Sequence, residues 1–119
     1  MPEVFIKPKL AERLGSYTTV GNDYVVVPDT DTENEYHLVK GYKSKIIQLV
    51  CTLENLIYKI DASLDLTTWH QIKAEDTLNA DAIIYETNTE PWNYFRVQVK
   101  PKIADAFGKL DVTIGMSSL

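Results

Sequence analysis

Three segments of this chain count in twos. In 94–100, Phe95, Val97 and Val99 alternate with Tyr94, Arg96, Gln98 and Lys100. In 109–114, Leu110, Val112 and Ile114 alternate with Lys109, Asp111 and Thr113. In 56–63, Leu56, Tyr58, Ile60 and Ala62 alternate with Ile57, Lys59, Asp61 and Ser63. Successive side chains of a β-strand point to opposite faces, so an apolar residue at every second position marks a strand with one face in a core. No helix accommodates that period.

The rest of the chain follows the same grammar of strand, turn and strand. Tyr24, Val25, Val26 and Val27 form a short β-branched run ended by Pro28, and Tyr36, His37, Leu38 and Val39 form another ended by Gly41. Segment 45–53 is apolar on both faces, as a central strand is. Segments 69–74 and 80–87 supply two more. About eight short strands separated by turn residues predict an all-β fold, an antiparallel β-sandwich of jelly-roll or Ig-like type. At 119 residues the chain is sized for one domain. Residues 22–119 are expected to form the sandwich. Residues 1–21 are expected to form an N-terminal arm or short helix, with Pro8 opening a helical turn that carries Leu10, Ala11 and Leu14 on one side and ends at Gly15. Val4, Phe5 and Ile6 then either pack over one end of the sandwich or dock on a neighbouring subunit. In 101–107, a helical turn or hairpin loop would lay Ile103 and Phe107 over the core edge.

Composition removes several function classes. The formal net charge is -5, with 12 basic against 17 acidic residues, which argues against a nucleic-acid partner needing a basic face. No apolar run is long enough to span a bilayer, so no membrane partner is expected. The first residues lack the basic-then-apolar order of a secretory signal. The single cysteine, Cys51, sits inside an apolar run and reads as a buried, inert thiol.

Candidate chemistry is sparse. Asp29, Asp31, Glu33 and Glu35 crowd one loop, but Asn34 and Lys40 stand where a helix-loop-helix calcium site needs Gly and Glu, so the loop reads as solvated. His37 and His70 read as surface or edge residues outside any metal-ligand pattern. A small hydrolase would need one of them within reach of a Ser or Asp, and no nucleophile sits on a recognisable strained turn. Catalytic, cofactor-binding and metal-ligating residues are therefore all expected to be none. Of the aromatics, Trp69 is expected to close the core beneath its hairpin. Trp92 either seals the rim or stands with Tyr94 in solvent as a sugar-stacking pair.

The run from Tyr58 through Ser63, Asp65 and Thr68 to Trp69 resembles a hairpin of small β-sandwich proteins from tailed bacteriophage particles. In those, a strand ends in Ser-x-Asp and a Trp begins the return strand. Tyr94, Arg96, Val97 and Val99, followed by Gly108, Leu110, Val112 and Ile114, match the rest of that pattern, which covers roughly half the chain. Asp65 is expected to accept backbone N–H bonds within the turn. The family has Gly where this chain has Leu66, so the turn is expected to differ or to present Leu66 as an exposed contact. The resemblance implies a non-enzymatic virion structural protein, a capsid decoration or a neck or tail component assembled in the host cytoplasm. It would act as a homo-oligomer, with a trimer suiting a capsid lattice, against other virion proteins. The same hairpin is similar to that of discoidin-type sandwiches, which implies the alternative of a carbohydrate-binding module contacting glycans through Trp92 and Tyr94.

Overall fold

The computed structural model describes residues 10–18 and 21–118. The chain runs β1 (Leu10–Thr18), β2 (Val25–Val26), β3 (His37–Leu38), β4 (Ser44–Leu53), β5 (Leu56–Ser63), β6 (Trp69–Leu78), β7 (Ile83–Asn88), β8 (Tyr94–Pro101) and β9 (Gly108–Ser117). All pairings between them are antiparallel. One sheet has the order β1-β9-β4-β7; the other has β2-β8-β5-β6, with β3 also pairing β8. This is a β-sandwich, and all eight expected strands are present.

The alternating positions do what their period requires. Ile47, Leu49 and Cys51 of β4 and Leu110, Val112 and Ile114 of β9 face inward from the first sheet. Leu56, Tyr58, Ile60 and Ala62 of β5 and Phe95, Val97 and Val99 of β8 face inward from the second. Each such side chain, fully withdrawn from water, contributes about 1.5–3 kcal/mol. Packing is close where β9 begins: a Cβ on Gly108 would lie 2.3 Å from Leu56 Cδ2. Cys51 is buried as expected; its Sγ donates to the Glu54 carbonyl at 3.2 Å, and burial pushes the thiol pKa up.

One segment and several single residues depart from the sequence reading. The helical turn expected over 10–15 is part of a ninth strand, β1, in register with β9 from Leu10↔Ser117 to Thr18↔Lys109. Leu, Ala, Glu and Arg favour helix locally. The unpaired edge of β9 offers this segment a full ladder of backbone bonds instead. Val4, Phe5 and Ile6 lie outside the described residues. Ile103 and Phe107 do not cover the core edge; they are 64% and 66% exposed at the tip of the β8–β9 loop. His37, expected at the surface, is fully buried, opposite Phe95 in the ladder and close against Gly15 and Asp29. Lys45, at the head of the central strand, is also buried. Its ammonium donates to the carbonyls of Tyr42 and Glu90 and lies over the Phe95 ring, and burial pushes its pKa down.

Candidate functional site

The two sheets turn very different outer faces to solvent. In an antiparallel ladder, directly opposed residues project to the same side. On the four-stranded sheet, that rule builds rows across β1, β9, β4 and β7. Glu12, Gly115, Ile46 and Thr87 form one row; Leu14, Thr113, Gln48 and Tyr85 the next; Ser16, Asp111, Val50 and Ile83 the third. Leu10 sits at one corner, 71% exposed, and Ile83 and Tyr85 on the β7 edge are 69% and 68% exposed. Across these three rows the only ionisable groups are the carboxylates of Glu12 and Asp111 and the phenol of Tyr85, and Asp111 has Lys109 at 3.9 Å. Leu10, Ile46, Thr87 and Gly115 also line an apolar hollow of about 530 Å³ at one end of the face. Exposed apolar side chains are thus gathered on one face whose only charges in these rows are Glu12 and Asp111, the pattern of a candidate contact surface.

The five-stranded sheet carries the charge. The Arg96 guanidinium lies 4.2 Å over the Trp69 ring and holds Asp61 Oδ2 through Nη2 at 2.8 Å and Nε at 3.2 Å. Lys59 and Lys100 flank the Tyr24 ring at 4.3 and 4.7 Å. The Tyr24 hydroxyl donates to Glu75, and burial together with that carboxylate pushes its pKa up. Nearly every charge on this face already has a partner within the chain.

The border strands differ as well. The ladder of β6 on β5 shifts register twice between Tyr58 and Asp61, and β6 carries Lys73, Glu75 and Asp76. Bulges and charges of this kind keep an edge from pairing with another chain. The β7 ladder on β4 is regular from Lys45↔Asn88 to Val50↔Ile83. Glu86 of β7 turns away from the neutral face: it accepts from the Tyr58 hydroxyl at 3.1 Å and lies 3.6 Å from Lys73 Nζ.

The sequence candidates fall as follows. Trp92 is half-buried at the core rim, stacks on His70 at 5.3 Å between centroids and donates from Nε1 to Glu90 at 3.2 Å. Tyr94 meets Tyr36 edge-on at 5.3 Å. The two residues thus have separate ring partners. Trp69, expected in the core, lies on the outer face of the five-stranded sheet, because its position opposite Ser63 puts it on the face shared with Tyr94 and Arg96.

The Ser63–Asp65 turn forms as its residues dictate. Asp65 Oδ1 accepts from the Thr67 and Thr68 N–H groups, both at 2.9 Å, and those bonds hold its pKa down. Ser63 Oγ accepts from Leu66 N–H at 2.9 Å and donates to the Thr68 carbonyl at 2.7 Å. Leu66 takes φ +65°, the left-handed conformation that a glycine would occupy without strain.

In the acidic loop, Asp29 is turned inward. Its Oδ1 accepts from Asp31 and Thr32 N–H at 2.8 and 3.2 Å, and its Oδ2 lies 3.8 Å from Arg13 Nη1 and 3.7 Å from His37 Nδ1. Among the described residues, neither His37 nitrogen makes a well-formed hydrogen bond; burial pushes its pKa down, against the pull of Asp29 and of the Val27 backbone. A Cβ at Gly15 would meet His37 Cε1 and the Pro28 carbonyl at 2.9 Å, so this packing needs glycine. Among the described residues, no group of three or more His, Cys, Asp or Glu side chains is placed to hold a metal ion. Among them, no helix is long and apolar enough to cross a membrane.

No protein-family model matches the chain, and no curated protein matches it in sequence. Solved structures share its fold. The SPBc2 prophage-derived protein YomS superposes with a TM-score of 0.66 at 9% identity, over 98% of this chain and 100% of that one. Murine APRIL superposes at 0.55 and 9% identity, over 95% and 100%. PirA superposes at 0.50 and 12% identity, over 87% and 92%. At such identities the likeness is one of fold.

Proposed function

We propose that this chain is a non-enzymatic structural component of a tailed-phage particle, a capsid decoration or a neck or tail protein, that works as a homo-oligomer. The apolar, sparsely charged outer face of the four-stranded sheet carries this reading, with Leu14, Ile46, Ile83 and Tyr85 as its anchors. The prophage origin of YomS and the particle-protein hairpin pattern of 58–69 support it.

A second copy of the chain is the occupant that the face fits. The protein is acidic overall, at -5, so two copies repel at most orientations. The four-stranded sheet face, where Glu12 stands apart and Asp111 is paired with Lys109, is where they approach with few opposing like charges. Four strands by about nine residues cover on the order of 600 Å² at ordinary strand spacing. Two such faces in contact bury roughly 1,200 Å², the lower end of what a specific complex needs. Copies held on a particle then gain avidity from repetition. Residues 4–6 would add an arm to the same assembly.

Sedimentation velocity across a micromolar-to-millimolar series tests this. An oligomer that the double substitution Ile83→Lys/Tyr85→Lys converts to monomer is expected. A wild-type monomer throughout the series, or an oligomer indifferent to those lysines, sinks the reading.

A further inference from the structure

The opposite face of the molecule holds a second, unrelated feature. Where the acidic loop approaches the β5–β6 turn, a hollow of about 480 Å³ opens, within the range of small-molecule sites. Its wall is Trp69, Tyr36 and Leu66; its polar groups include Glu33, Glu35 and Arg96. Two observations set this hollow apart. Glu33 and Leu66, 33 positions apart in sequence, both take left-handed backbone, at φ +61° and +65°, and both border it. Non-glycine residues rarely adopt that conformation; Leu53, Asp81 and Asp105 take it singly elsewhere, whereas here two such residues meet, and such strain gathers at ligand clamps. Arg96, moreover, is fixed before any ligand arrives, stacked on Trp69 and pinned to Asp61 through its Nε–Nη2 edge. The Nη1 donors take no part in that pair.

We infer that this hollow binds a neutral sugar ring, laid against Trp69, Tyr36 and Leu66 with its hydroxyls shared between Glu33, Glu35 and Arg96. The electrostatics select this class by exclusion. An anionic ligand meets two carboxylates, Glu33 and Glu35. A cationic ligand meets the positive guanidinium of Arg96. A neutral polyol donates to the carboxylates and accepts from the guanidinium, using both without repulsion. Leu66 contributes apolar surface at the one position where glycine would relax the turn, which gives its strain a use.

The site is separate from the assembly face, so either can fail alone. The test uses the full chain carrying Trp92→Phe, which leaves Trp69 as the single indole reporter. Glucose, galactose, mannose, N-acetylglucosamine and N-acetylgalactosamine are each titrated to about 50 mM by Trp emission and saturation-transfer NMR, beside sialic acid and methylammonium. The expected result is saturable binding of at least one neutral sugar with a Kd of roughly 1–10 mM, weakened at least about tenfold by Leu66→Gly and by Glu35→Gln. The Leu66→Gly chain is expected to keep its fold, since glycine takes the +65° φ without strain, and a circular dichroism spectrum matching the parent's separates loss of binding from loss of structure. No response from any neutral sugar overturns the inference. So does a response that survives Leu66→Gly, or preferential binding of sialic acid or methylammonium.

Discussion

The two outer faces of this sandwich are built from the same kind of ladder and differ in how their side chains are satisfied. On the five-stranded sheet, Arg96 has Asp61 and Trp69, Lys59 has Tyr24, and Lys100 has Tyr24 and Glu75. The charges of that face are largely satisfied by one another. On the four-stranded sheet, Leu10, Leu14, Ile46, Ile83 and Tyr85 stand exposed with little charge among them. The borders repeat the contrast: β6 is bulged and charged, while β7 is regular and apolar on its outer side. Among the described residues β7 lacks the bulges that guard β6, and the proposed self-association would cover the face beside it.

The largest expected effect comes from breaking this asymmetry directly. Ile83→Lys/Tyr85→Lys places two charges on the neutral face and is expected to weaken self-association by roughly 2–4 kcal/mol, a hundredfold or more in Kd. A matched pair on the other face, Lys59→Glu/Lys100→Glu, is expected to leave it within a few-fold. Equal sensitivity of the two faces in sedimentation would remove the distinction.

Next is a lesion shared by both faces. Gly108→Ala forces a methyl into Leu56 and is expected to lower stability by about 1–3 kcal/mol in chemical denaturation. Combining it with Leu56→Val should return part of that loss, since trimming the leucine removes the clash.

Much of the fold was legible because it is written in local alternation. β5, β8 and β9 announce themselves by period, β4 by its apolar run, and the Ser63–Asp65 turn by its two side chains. β1 was not legible, since Leu10 to Leu14 look helical and the partner that makes them a strand lies about 100 residues away. Trp69 shows the same limit. Its side of the sheet is decided by register against Ser63, and its partner Arg96 arrives from another strand. Of the candidate surfaces, Leu66 was visible as a departure from glycine, and Ile46 and Val50 as the second apolar side of β4. The meeting of Glu33 with Leu66 was not, because nothing local couples residues 33 apart.

A smaller effect sits between the faces, at His37. Its folded pKa is lowered, so the unfolded chain binds the proton more readily. The stability from burying neutral imidazole is then fully present above the unfolded value near 6.5. It is lost as pH falls through 6.5 toward the folded value, at no more than about 1.4 kcal/mol per pH unit. Thermal melts between pH 7.5 and 5 are expected to show a shallower decline in His37→Gln, with Asp29 and Arg13, the charges facing it, retained. An unchanged slope would assign the acid sensitivity elsewhere.

The smallest effect has the opposite sign. Leu66→Gly is expected to raise stability by up to about 1 kcal/mol by relieving left-handed strain, read as a higher denaturation midpoint. A loss of stability would mean that the leucine's packing on the charged face outweighs the backbone it distorts.

The bonds of Ser63 and Asp65 carry one more implication. Between them, these two side chains cap the backbone donors of residues 66 to 68 and hold the corner without help from the residue at its apex. The apex is therefore a replaceable fitting on a fixed bracket. A lineage of such chains can swap the side chain at 66, and with it whatever the corner meets, while the hairpin beneath it stays the same.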